Sequence, residues 1–152
     1  MKYNFHCPHC EATVTAYTLP MNRHALDAFI KFADKFIKDK TPRRKLEMEL
    51  SNPQYTNWHN LRHFHIIFQE KGTAKWILTK KGEQFFRGEI KLMVPAAHMG
   101  GATLDSTHPA WETHTAERKE LFIWELLKVA ETAWKQREEF QKEKGYRRQT
   151  LF

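Results

Sequence analysis

The sequence has no apolar run near the roughly 20 residues that cross a bilayer, and its opening Met-Lys-Tyr-Asn-Phe-His-Cys lacks the apolar centre of a signal peptide. These absences lead to the expectation of a cytoplasmic protein with no membrane partner. Cysteine is scarce: two residues in a chain of 152, too few for a disulfide framework. Internal repeats and low-complexity tracts are absent, which sets aside solenoid and array architectures. Acidic residues are the minority charge, 18 against 25 Lys and Arg.

What is present points the other way. Apolar residues make up 41% and aromatics 13% of the chain, including five Trp and eleven Phe, enough for a packed core. The length suits one ordinary domain, or a small domain with a long appendage. A formal charge of +7 and a pI near 9.5 predict long-range attraction to a polyanion, and the nine His add positive charge below neutral pH.

The densest signal runs from Gln54 to Glu89. Asn52 is positioned to cap a helix with Pro53 in its first turn, continuing to about Phe64. At 100° per residue, Asn57, Trp58, Leu61, Phe64 and Phe68 share an inward arc. The outward arc holds Tyr55, Thr56, His59, Asn60, Arg62 and His63, side chains suited to base edges and phosphates rather than the Glu/Lys mixture of a solvated face. After it, Ile66-Ile67-Phe68, a turn at Glu70-Lys71-Gly72-Thr73, and Lys75-Trp76-Ile77-Leu78-Thr79 read as a β-hairpin. Thr79 then caps a helix with Phe85 and Phe86, ending near Gly88, and Glu89–Val94 reads as extended.

Upstream, Leu26, Phe29, Ile30, Ala33, Phe36 and Ile37 recur at three and four in a first helix. Thr41-Pro42-Arg43-Arg44 starts a short second helix anchored by Leu46 and Leu50. Its basic start, Arg43, Arg44 and Lys45, would sit on the phosphate backbone if this helix crosses it. The expected fold class is therefore mainly α with a small β-hairpin: a winged helix-turn-helix with an N-terminal knuckle and a long C-terminal helix. The expected divisions are a knuckle at 1–20, the winged helix-turn-helix at 21–94, a link at 95–110, and a C-terminal helix with a basic tail at 111–152.

That last helix, read from Thr115 to about Lys144, carries Phe122, Leu126, Val129, Ala133 and Phe140 at alternating four and three spacing, with Leu121, Ile123, Trp124, Leu127, Ala130 and Trp134 widening the stripe. Its aromatic stripe predicts a homodimer through the C-terminal helix, with folding back over the core as the alternative.

Cys7-Pro8-His9-Cys10 has the spacing of a zinc knuckle, making Cys7 and Cys10 candidate ligands for Zn. A closed site needs four ligands. The remainder would come from among His6, His24, His98, His108 and His114 or from a second subunit; otherwise the pair is a degenerate knuckle with free thiols. A thioredoxin-like reading fits less well, because such a motif should follow a strand and open a helix, whereas Pro20 and Met21 separate this pair from the first helix. The 95–110 link holds His98, Asp105 and His108, with Glu112 and His114 nearby. It lacks a compact metal-hydrolase motif, and no catalytic residue is expected.

The runs Leu50-Ser51-Asn52-Pro53-Gln54-Tyr55-Thr56-Asn57-Trp58-His59-Asn60-Leu61-Arg62-His63-Phe64-His65-Ile66-Ile67, Trp76-Ile77-Leu78-Thr79-Lys80-Lys81-Gly82 and Phe86-Arg87-Gly88-Glu89-Ile90 carry a resemblance. The chain resembles a family of uncharacterised bacterial, phage and mobile-element proteins that join an N-terminal Cys-x-x-Cys to a predicted winged helix. The resemblance covers about the first two thirds of the chain and implies architecture more than activity. Two departures stand out: His65 where the family has Gly at the end of the recognition helix, and no second Cys pair.

Together these features predict sequence-specific double-stranded DNA binding by a transcriptional regulator of a phage or mobile element. Thr56, His59, Asn60 and His63 would face base edges, Arg43, Arg44, Lys45 and Arg62 would hold phosphates, and Lys71 and Lys75 would add charge on the wing. Two alternatives are a protein-binding adaptor or inhibitor on the same scaffold, and a metal-dependent hydrolase built on the link histidines.

Overall fold

The structure, a computed structural model, describes residues 2–6, 13–99, 102–104 and 118–143. Asn22 opens α1 (Arg23–Asp39): its Oδ1 accepts from the Ala25 amide at 2.8 Å, and Lys40 ends the helix in the left-handed region at φ 55°. Ala25, Leu26, Ala28, Phe29, Phe32 and Ala33 form its buried side, with Ile30, Phe36 and Ile37 packed at the margin.

The chain next takes an extended step, β3 (Arg43–Arg44), and then a single 3-10 turn at Lys45–Met48. Ser51, not Asn52, caps α2 (Asn52–Asn57), and it does so reciprocally. Its Oγ accepts from the Gln54 amide at 3.4 Å, while Gln54 Oε1 accepts from the Ser51 amide at 3.1 Å. From Trp58 to Phe64 the backbone tightens to 3-10 geometry and stops at His65, φ 61°. The hairpin β4 (Ile67–Gln69) and β5 (Lys75–Leu78) follows, then α3 (Lys80–Phe86), capped by Thr79 through the Gly82 amide at 3.0 Å. β3 adds to β5, giving a three-stranded sheet in the order β3-β5-β4.

Two further sheets surround this unit. β1 (Lys2–His6) and β2 (Thr13–Leu19) join β7 (Ala96–Met99) and β8 (Ala102–Thr103) in an antiparallel sheet, and β6 (Leu92–Val94) pairs with β9 (Lys119–Leu121). The chain then forms α4 (Ile123–Glu143). Aromatic rings lock the centre: Trp58 meets Phe32 edge-on at 5.2 Å and Trp76 at 5.7 Å, and Phe29 lies 5.8 Å from Phe85.

The expectation of a mainly α chain with one small hairpin, a winged helix-turn-helix flanked by a knuckle and a long helix, is corrected by these sheets. The chain is mixed α/β, with four-, three- and two-stranded sheets. Residues 2–6 and 13–19, read as part of the knuckle, and 96–99 and 102–103, read as a link, are strands of one sheet. The expected second helix is β3 plus one turn. β3 enters extended to pair with β5, so Met48 is buried, while Leu46, the expected anchor, is 79% exposed. The expected single helix from Asn52 to Phe64 is a short α-helix continued by 3-10 turns. The C-terminal helix begins at Ile123 and folds back along α1, burying Ile123, Leu126 and Ala130, whereas Val129 and Ala133 stay exposed.

Candidate nucleic-acid interface

The register of β3 against β5 sets Arg44 directly opposite Lys75. Two like charges facing each other on neighbouring strands repel. Glu47, 3.7 Å from Arg44 Nε, offsets part of this on a solvent-exposed pair. One residue on, Lys45 Nζ stands 3.7 Å from the centre of the Tyr55 ring, a cation–π contact that ties the 3-10 turn to α2. Burial lowers the proton affinity of that ammonium.

His59, exposed on the 3-10 segment, presents its ring to Trp76 at 5.7 Å. Burial lowers its pKa, and the charges of Lys45 and Arg62 lower it further. Both cations therefore act on one imidazole, which puts Lys45, His59 and Arg62 in a single electrostatic neighbourhood. Thr56 is exposed and donates its hydroxyl to the Asn52 carbonyl at 3.0 Å, leaving the oxygen free to accept. Asn60 is half-buried. Lys71, at the β4–β5 turn, and Lys75 are exposed.

Two expected contact residues are not available. His63 is only 6% exposed. Arg62 Nε donates to its Nε2 at 3.4 Å, so the neutral ring carries its proton on Nδ1 and hydrogen-bonds Thr103 Oγ1 at 2.6 Å. His98 of β7 stacks on it at 5.0 Å, and Tyr17 stacks on His98 at 5.4 Å. The placement of His63 at base edges is thus corrected: the sheet of β2, β7 and β8 covers that side of the segment. Arg43 is the other. Its guanidinium pairs with Asp39, and its side chain is 15% exposed. The Thr41 amide and the Arg43 pairing hold the Asp39 carboxyl below its usual range, so Arg43 is committed within the fold.

Cys7 and Cys10 lie outside the described residues, as do His108, Glu112 and His114 of the link. Among the described residues no group of three or more His, Cys, Asp and Glu is placed to hold a metal ion. His24, one suggested supplementary ligand, lies edge-on to Trp134 at 5.2 Å, and His98, another, belongs to the ring stack. Among the described residues no helix is long and apolar enough to cross a membrane.

Tyr55, on the predicted outward arc, is 40% exposed and carries Lys45 over its ring. Phe68, assigned inward, is 54% exposed on β4, because the period of two in a strand reverses what helical spacing assigns. Comparison with protein-family models, curated proteins and solved structures finds no match to this chain, so no relative bears on the resemblance read from the sequence.

Proposed function

We propose that this chain binds double-stranded DNA through the face built from Arg44, Lys45, Tyr55, Thr56, His59, Arg62 and Lys75. The observation that carries this reading is the cationic surface in which Arg44 faces Lys75 across β3 and β5 while Lys45 next to it lies 3.7 Å from the Tyr55 ring centre. Opposed like charges cost stability in an isolated protein, and a row of phosphates would remove the cost. The α2 and 3-10 segment keeps Tyr55, Thr56, His59 and Arg62 exposed, and this open side is what would meet a groove. Thr56 and His59 offer donors and acceptors to base edges, while the cations hold phosphates on either side. Sequence-specific binding of the kind a transcriptional regulator uses follows from that division of labour.

The test is a mobility-shift titration at low salt. Arg62→Ala and Lys45→Ala are each expected to weaken binding to every duplex by about fivefold to tenfold, while Thr56→Ala and His59→Ala narrow the gap between preferred and random sequence. Binding that the two cation variants leave unchanged would refute the assignment of the face.

The adaptor reading draws support from α4, where Trp124 is 54% and Val129 56% exposed. Absence of a shift at low salt, together with saturable binding of a purified protein partner that Val129→Asp abolishes, would favour it.

A further inference from the structure

We infer that the cleft beside β4 takes up an unpaired adenine of the bound DNA, with the base stacked on Phe68, its edge met by Gln69 and its phosphate held by Arg62. This site deepens the DNA-binding proposal above and rests on it. The cleft measures about 310 Å³, at the lower end of sites that hold small molecules. Arg62, Phe68 and Gln69 line it together, with the core residues Ile67 and Trp76 also in its wall. Its lining holds no Asp or Glu among the described residues, so no carboxylate there repels a phosphate.

The three groups are uncommitted within the fold. Phe68 is 54% exposed, and its ring has no aromatic partner among the described residues, whereas Trp58, His59 and Trp76 all meet other rings. The Gln69 side chain is exposed and makes no hydrogen bond among the described residues. Arg62 engages only its Nε, on His63, and no carboxylate pairs with it among the described residues, so both Nη groups are open. Each supplies one of the contacts a nucleotide needs. A base stacks on an exposed aromatic face, a Gln amide matches the N6 donor and N7 acceptor of adenine, and a guanidinium takes a phosphate through paired N–H groups.

Position favours the same occupant. Arg62 belongs both to the cleft and to the proposed DNA face, and Trp76 in the cleft wall meets His59 of that face at 5.7 Å. A nucleotide of DNA lying on the face therefore has the cleft at its side. A paired base leaves its stack only at a cost that an unpaired base does not bear. The cleft thus selects for DNA with an unpaired base over fully paired DNA.

The test measures the affinity of the full chain, at low salt, for a paired duplex and for the same duplex carrying one unpaired adenine. The bulged duplex is expected to bind about fivefold to tenfold more tightly. Phe68→Leu, which keeps an apolar side chain without a π face, should bring the bulged duplex down to the affinity of the paired one, and Phe68→Tyr should preserve the difference. Gln69→Ala should narrow the preference for an unpaired adenine over an unpaired thymine. Leu46→Ala, at another exposed apolar residue, should leave the preference intact. Equal affinity for the two DNAs, or a preference that Phe68→Leu leaves untouched, would overturn the inference while paired-duplex binding sensitive to Lys45→Ala still upheld the face. No binding of either DNA would refute both.

Discussion

Gly82 stands in the first turn of α3 with its Cα against the Ile66 carbonyl, and a Cβ there would also come within 2.8 Å of Leu78 Cδ1. The obstruction is backbone, which cannot swing aside, so Gly82→Ala is expected to lower stability by about 3 kcal/mol, read as a reduced denaturant midpoint with unchanged slope. His63 makes the other residue-scale prediction. Burial first, then the charges of Arg62, His98 and His65, lower its pKa from 6.5 to about 4. Between those values the unfolded chain binds more protons than the folded one, so stability is full above the ordinary value and falls as pH drops toward about 4. Denaturant midpoints at pH 7 and pH 5 should differ clearly in the wild type and less in His63→Gln, whose amide can still meet Thr103. The lowered pKa values of His59 and His65 supply the slope that remains.

The central elements were legible where local chemistry decides them. Thr79 and Gly88 mark the ends of α3, and the Glu70–Thr73 turn between two β-branched runs marks the hairpin. The strand Thr13–Leu19 carries a β-branched start, Thr13-Val14-Thr15, but its pairing with β7 is made far along the chain and is not written in its own residues. β7 could not be read from its own residues, Ala-Ala-His-Met, whose pairing with β2 is fixed some eighty positions away, nor β8, an Ala-Thr pair that adds to β7. α4 separates period from partner. The widened stripe included Ile123, Leu126 and Ala130, which are the buried residues, but also Val129 and Ala133, which stay exposed because the groove available takes only one side of the helix. Leu126→Ala should therefore cost about 2–4 kcal/mol and Val129→Ala less than about 0.5 kcal/mol. Comparable losses at both positions in thermal unfolding would mean that Val129 is covered in solution by a second copy.

At the scale of the whole molecule, the +7 charge favours attraction to a polyanion without fixing a place on the surface for it. Amphipathic spacing supplied much of the face, since Thr56, His59 and Arg62 do point outward. It misplaced His63, because a helical wheel knows only one core and the β2-β7-β8 sheet covers the segment from a second side. The Arg44–Lys75 juxtaposition depends on strand register and lay beyond any reading of spacing. The most direct test of the account is the affinity for a random DNA duplex measured across salt concentrations. Arg44, Lys45, Arg62 and Lys75 each displacing one counterion predict a log–log slope of about −3 to −4, shallower by about 1 in Arg62→Ala. A slope near zero, or one that Arg62→Ala leaves intact, would contradict it.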